Sequence, residues 1–370
     1  MQTPLQKWWH SPLKNERGMA LLLVISLVAI LMIITLQFGQ EIRQSYIVSA
    51  GLKTGIQLSE ICRSGIMIGR ELLLQDSEEN TFDSFYDSWA LLAEEDLSEI
   101  FERGELTVTV SDESGKFQIN AMILEEEKDG AKEVGKEVTK ETEKKTDTDS
   151  EAETAADKHK QKEVDFRNIL WRLLRAEPFL VEDGDARQII DSLIDWIDTG
   201  DGDSEEEYGA EDGYYKGLEP PYSCKNGPVE SIDELLLVRG FTKELLYGTD
   251  DIPPLAPLLA IWGNDAKINL NTAPLLILQA MAEDIDKEMA KDMVGFREEE
   301  KNKDTLATPQ WYKDVTSFPG NVEIREDFIT TQSHFFTIEA VAKSDMYTKT
   351  VTAGIERNED GTSIIQWHKE

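Results

Sequence analysis

Nine carboxylates fall within the 18 residues from Asp195 to Asp212. Like charges this dense repel unless a cation gathers them, and Gly200, Gly202 and Gly209 let the backbone turn so that oxygens converge. That is the chemistry of a calcium site, with six to eight hard oxygens at about 2.3–2.6 Å. An EF-hand frame from Asp201 puts Asp203 third and Asp212 twelfth. It fails at the sixth place, where Glu206 stands instead of Gly, and at the twelfth, which is Asp rather than Glu. The choice left open is a calcium loop of another kind or a solvated acidic turn. Other chemistry has little to work with. His10, His159, His334 and His368 are scattered, and no Ser/His/Asp or Cys/His arrangement stands out. Cys62 and Cys224 read most simply as free thiols, although long-range pairing cannot be read from spacing. A hydrolase using paired carboxylates is the enzyme that composition leaves open.

A second chemistry-bearing junction is Lys14-Asn-Glu-Arg-Gly18-Met19. Met19 to Leu36 follows as 18 uncharged residues, interrupted only by Ser26 and Thr35. As a helix it reaches about 27 Å, close to the hydrocarbon thickness of a bilayer. Lys7, Lys14 and Arg17 precede it, so the N-terminus is expected in the cytoplasm and the remainder outside. No small-x-small cleavage site follows the run, which argues against a secretory signal. Two readings stay open: a plain anchor, or a leader resembling that of type IV prepilins, cut between Gly18 and Met19. Prepilins usually carry Glu as the fifth mature residue. Leu23 stands there, so the cost of a carboxylate at membrane depth is absent.

These features need elements to position them. The length of 370 residues suggests two or three domains. The net charge of −35 repels phosphate backbones and excludes general nucleic-acid binding. Ile47, Gly51, Thr54, Leu58, Ile61, Gly65, Ile68 and Leu72 recur with a period near 3.5, so the membrane helix is expected to continue to Leu74, the alternative being two helices with a break near Gly39. Alternation predicts strands at Leu106–Val110 and Lys116–Met122, read as a hairpin. A second pair is expected at Phe335–Ala342 and Thr348–Ile355, with a last strand at Ser363–Trp367. The economical solution joins them in one sheet packed on the helix. Glu125 to Asp165 holds 15 acidic and 9 basic residues with almost no large apolar side chains, which reads as a disordered linker. From Phe166 the periodicity is helical. Ser231 and Glu234 suit a capping box, and Asn271 or Thr272 could cap a helix entered through Pro274. That last segment looks like a helix-hairpin-helix module. Its hairpin lacks Gly and is acidic, so it is read as structural.

The expected fold class is therefore α+β. It comprises an N-terminal segment at 1–18 (a leader on the prepilin reading), a transmembrane helix extended over 19–75, and a β head from 76–123 and 328–370. A charged linker at 124–165 and an α-helical insertion at 166–327 carrying the acidic loop complete it.

In order along the chain stand Arg17-Gly18-Met19 with Leu23, Gly115-Lys-Phe-Gln-Ile-Asn-Ala121 and Leu193-Ile-Asp-Trp-Ile-Asp198. They are followed by Gly209-Ala-Glu-Asp-Gly-Tyr-Tyr215 with Pro220-Pro-Tyr222, Glu234-Leu235 with Gly240, and Ile268-Asn-Leu-Asn-Thr-Ala273. The ordered set resembles the general secretion pathway protein K family, the large minor pseudopilins of type II secretion. The resemblance implies a pilin-like head, an insertion of two SAM-like lobes, and no enzymatic activity. It implies a place at the pseudopilus tip with minor pseudopilins I and J, supporting export across the outer membrane. It also implies processing by prepilin peptidase, contact with the inner-membrane secretion platform, and a periplasmic head anchored in the inner membrane. Calcium, one or two ions, is implied in the insertion, with oxygens drawn from Asp198, Asp201, Asp203, Glu211 and Asp212. The alternative is a membrane-anchored, calcium-dependent extracytoplasmic binding protein, or the carboxylate hydrolase.

Overall fold

The computed structural model describes residues 16–95, 97, 100–101, 104–124, 148–199, 206–344, 347–358 and 361–369. The first element, α1 (Glu16–Glu79), is one helix of 64 residues with no break at Gly39. It is the one helix among the described residues long and apolar enough to cross a membrane. Its two polar interruptions are satisfied within the helix: Ser26 Oγ donates to Leu23 O at 2.9 Å, and Thr35 Oγ1 to Leu31 O at 2.7 Å. That is what a helix in hydrocarbon requires.

Beyond the apolar span, α1 lies on a four-stranded antiparallel sheet. The sheet is built from β1 (Glu105–Asp112), β6 (Phe335–Lys343), β7 (Thr348–Asn358) and β8 (Gly361–Lys369), in that order. The expected 3.5-residue stripe is exposed at its start, Ile47, and buried at Leu58 and Ile61. Farther along, the fully buried positions are Cys62, Ile66 and Leu73, while Ile68 and Leu72 are only partly buried. A straight helix turns 3.6 residues per turn, so a fixed face drifts by about 20° per heptad away from a 3.5 repeat. Gly65 and Gly69 remain on that face because the sheet comes close. A Cβ at 65 would stand 2.8 Å from Val108 Cγ2, and one at 69 would stand 3.0 Å from Ile338 Cδ1. The short α2 (Ser88–Leu91) closes the end of this core with Trp89, edge-on to Phe336 at 5.3 Å.

The expected hairpin after β1 does not form. Its presumed second strand is β2 (Phe117–Gln118), a two-residue piece that pairs in parallel with β3 (Leu259–Ala260). The turn at 111–115 is instead a crossing point. Gly115 lies so close to the segment after β4 (Ile268–Asn269) that a Cβ would meet Thr272 Oγ1 at 2.5 Å. Phe117, Ile119, Ala121, Met122 and Leu124 therefore enter a second, larger core, away from the head. On the return, β5 (Ile329–Thr330) pairs in parallel with β4, and Phe328 and Ile329 belong to that larger core too. The expected head limits at 123 and 328 are thus too generous at both joins.

The larger core is mostly helical. Its longest element, α3 (Thr148–Arg175), begins well inside the stretch read as linker, so residues 148–165 are corrected to helix. Glu163 Oε1 accepts from Leu124 N at 2.9 Å, and Arg167 Nε donates to Met122 O at 3.0 Å, tying the helix to the chain leaving the head. Residues 125–147 of that reading lie outside the described residues. After α3 come α4 (Asp183–Ile197), α5 (Asp212–Lys216), α6 (Lys243–Tyr247), α7 (Leu275–Ala280) and α8 (Lys287–Glu298). Residues Ile232–Leu237 form a 3-10 helix rather than the expected α-helix. Ser231 caps it, accepting from Asp233 N, but the capping box stays open. Glu234 instead accepts from Trp196 Nε1 (2.8 Å), Lys225 Nζ (2.9 Å) and Glu230 N (3.0 Å). Cys62 and Cys224 are free thiols.

Candidate functional site

The acidic loop returns onto one face of α4. Asp183 and Asp185 lie in the first turn of that helix, where the macrodipole favours them. Farther along, Asp191, Asp195 and Asp198 follow at helical spacing. Asp191 Oδ2 accepts from Tyr208 N and Asp195 Oδ1 from Glu206 N, both at 3.1 Å. Arg167, from α3, stands 3.6 Å from Glu206. Gly209 lies directly against the Asp195 carboxylate, in the space a Cβ would need. Arg239 fixes the same turn, donating to Gly209 O at 3.0 Å with its guanidinium over the Tyr214 ring.

Of the five expected ligands, Asp198, Glu211 and Asp212 are brought to this end of α4, while Asp201 and Asp203 lie outside the described residues. Glu211 is the N-cap of α5 and accepts from Asp212 N. Asp212 is already balanced: it pairs with Lys216 and accepts from Cys224 N at 3.1 Å. The Lys216 bond holds its carboxyl below the usual range. Asp195 was not among the expected ligands, yet it is the most constrained carboxylate here. Its side chain is fully buried, and Oδ2 has no hydrogen-bond partner among the described residues. Burial, partly offset by the backbone N–H groups of Glu206 and Ala210 and aided by the charges of Glu211 and Asp198, pushes its carboxyl up to about 6. A buried carboxylate oxygen without a partner is costly, and a divalent cation would supply one. The hexad Leu193-Ile-Asp-Trp-Ile-Asp198 contained the signal: Asp195 is a charged residue on an otherwise apolar helix face. Burial pushes the neighbouring Cys224 thiol up to about 11, so it offers no thiolate, and the donor set is oxygen.

Asn271 and Thr272 do not cap α7, whose N-cap is Pro274 without a side-chain bond. Both are buried at the join of the two cores. Asn271 Nδ2 donates to Asp83 O (3.0 Å) and Leu306 O (3.1 Å), and Thr272 Oγ1 donates to Asp112 Oδ2 (2.5 Å). At the other end of the molecule the Gly18–Met19 bond lies in the first turn of α1, and Leu23 is 67 % exposed along the apolar span.

The fold is thus a long apolar N-terminal helix packed on an antiparallel sheet, with a helical domain inserted between the first and second strands of that sheet. Residues 115–249 match the family model described as Type II secretion system (T2SS), protein K. Type II secretion system protein K of Aeromonas hydrophila is 25 % identical over 337 residues, covering 89 % of each chain. That of Pseudomonas aeruginosa is 25 % identical over 358 residues, covering 94 % of this chain and 91 % of the relative. The crystal structure of the GspK-GspI-GspJ complex from enterotoxigenic Escherichia coli has a chain that superposes with a TM-score of 0.58. That likeness is at 16 % identity and covers 87 % of this chain and 99 % of that one. Over most of its length the chain is thus similar to type II secretion system protein K.

Proposed function

We propose that the protein is the minor pseudopilin that caps the tip of a type II secretion pseudopilus, starting or ending its assembly. The observation that carries this reading is the pairing of one unbroken α1 with a helical domain interposed between β1 and β6. The helix can enter a filament like any pilin stem. The inserted bulk leaves no room for another subunit stacked above. In this role prepilin peptidase cuts between Gly18 and Met19, the stem stays in the inner membrane, the head faces the periplasm, and the inner-membrane platform receives the subunit. Leu23 suits a terminal subunit, which has no further N-terminal amine to neutralise. Minor pseudopilins I and J are its partners, and the helical domain supplies the two SAM-like lobes.

The role is structural rather than catalytic. In it the acidic loop is a calcium-binding element. Asp198, Asp201, Asp203, Glu211 and Asp212 would hold the ion or ions, with Asp195 seating the loop from beneath. Calcium there would neutralise the repulsion among these carboxylates and fix the loop on α4. It would stabilise the fold by mass action, by about 2.7 kcal/mol at a hundredfold excess over Kd. A chelator is expected to lower the Tm of the wild type and to leave that of Asp198→Ala unmoved.

The decisive experiment co-expresses the full chain with pseudopilins I and J and prepilin peptidase, followed by detergent extraction and intact mass. The expected product starts at Met19 and elutes with one I and one J. A chain still starting at Met1, or one recovered in many copies along the filament shaft, rejects the reading.

A further inference from the structure

The join of the two cores holds five buried carboxylates, of which Glu113 pairs with Lys116, and one buried guanidinium. Arg357, in β7, donates through Nη2 to Asp83 Oδ1 (2.5 Å), Asp83 Oδ2 (2.6 Å) and Ser333 O (2.8 Å). Its Nη1 reaches Asp76 Oδ2 at 3.2 Å and Leu73 O at 3.3 Å, and the guanidinium lies over the Phe336 ring. Asn80 links Asp76 to Asp87, donating to one oxygen of each. Asp112 accepts from Ser333 Oγ (2.6 Å), Thr272 Oγ1 (2.5 Å), Asn269 Nδ2 (3.2 Å) and Ser114 N (2.8 Å). The helical domain is held here through these side chains and through Asp83 O, which accepts from Asn269 and Asn271.

The relative exposures of Asp76, Asp83, Asp87 and Asp112 are 6, 2, 3 and 7 %. Among the described residues Arg357 is the one cation bonded to any of them. The other charged and titratable groups facing the join do not balance the excess. Lys303 acts on Asp87 only at a distance. Glu113 and Lys116 pair with each other at 2.7 Å. Glu78 and His334 line the adjoining cavity of about 370 Å³, and His334 Nδ1 faces Arg357 O at 3.2 Å. Fully ionised, the group would carry three uncompensated charges out of water. Buried groups in that position neutralise instead.

We propose that this join is proton-linked: the folded protein keeps protons on the Asp83–Asp87–Asp112 group where the unfolded chain has lost them, so mild acid tightens the seating of the helical domain on the head. Burial, opposed by Arg357 and reinforced by the charge of Asp112, pushes the Asp83 carboxyl to about 7. Burial pushes Asp87 to about 6 and also raises Asp112. A carboxyl raised in the folded state binds more protons there than in the unfolded chain. Stability is therefore gained as pH falls from about 7 toward the unfolded value of 3.8, and lost as pH rises through 7.

The test is urea unfolding of the full chain in detergent micelles between pH 5.5 and 7.5, at high salt so that exposed charges are screened. Asp112→Asn keeps the shape and removes the charge. Asp87→Asn keeps an acceptor for Ser84 N and leaves the Arg357 bonds untouched. The wild type is expected to be more stable at pH 5.5. Each variant is expected to shorten that gain, lowering the slope of stability against pH by up to about one proton. If one variant does not fold, the other decides. Slopes equal to the wild type overturn the proposal, as does a wild type no more stable at pH 5.5.

Discussion

Gly209 and Asp195 carry the strongest constraint on the acidic loop. A methyl group at 209 has no space beside the buried carboxylate, so Gly209→Ala must displace either the loop or Asp195. The expected cost is about 1–3 kcal/mol, the range for overpacking, read as a lower urea midpoint at unchanged slope. Glu234 sits in the opposite electrostatic regime. Burial raises its carboxyl, but the bonds from Lys225, Glu230 N and Trp196 together hold it below the usual range. A lowered carboxyl contributes stability above its unfolded value and loses it as pH falls. Glu234→Gln is expected to destabilise by about 1–3 kcal/mol near neutrality and by less at pH 4.

Among the elements, α1 and the sheet show how far periodicity carries and where it stops. The stripe along α1 named the correct side of the helix. The sheet then selected the positions one residue on, because the helix is straight. Gly65 is where backbone and strands approach most closely: a Cβ there would have Val108, Leu106 and Ala340 all within 3.2 Å. Gly65→Leu is expected to lever the helix off β1 and β6, at a cost of about 1–3 kcal/mol or more. Near-ultraviolet circular dichroism should show the loss around Trp89. The fold of the helical domain should survive, since its core is separate. The strands illustrate the complementary limit. Alternation in Glu105–Asp112 was legible and real. Its partner was not legible, because the pairing of Asp112 with Phe336, and of Ser111 with Thr337, depends on where the intervening domain places β6.

For the whole molecule, two hydrophobic cores meet at a polar seam and at aromatic contacts, Phe82 and Tyr86 packing against the larger core from the head side. Trp262, from the helical domain, packs against Gly354 in β7, where a Cβ would stand 2.6 Å from its ring. The strand register shifts at that same residue. Gly354→Val is expected to eject Trp262 and loosen the seam while both cores persist. The readout is faster protease cleavage and hydrogen exchange around residues 260–267, with far-ultraviolet circular dichroism unchanged. Unfolding as one unit with wild-type exchange there would mean that the Trp262 contact is not needed to hold the domains together.

What the chain's own pattern determined is what depends on near neighbours. The apolar run, the long stem helix, the terminal strands, the helical character after Phe166 and the clustering of carboxylates all follow from composition and period. What needed the tertiary structure is what depends on meeting across distance. Phe117 leaves the head because Leu259 offers it a strand. Thr272 serves a buried aspartate rather than a helix end because Gly115 allows the backbones to approach. Residues 148–165 become helix because Glu163 and Arg167 have Leu124 and Met122 to hold. Arg357, Asp83 and Asp112 are ordinary charged residues in one dimension. Only when two cores close over them, excluding water, do their charges have to be reconciled with one another.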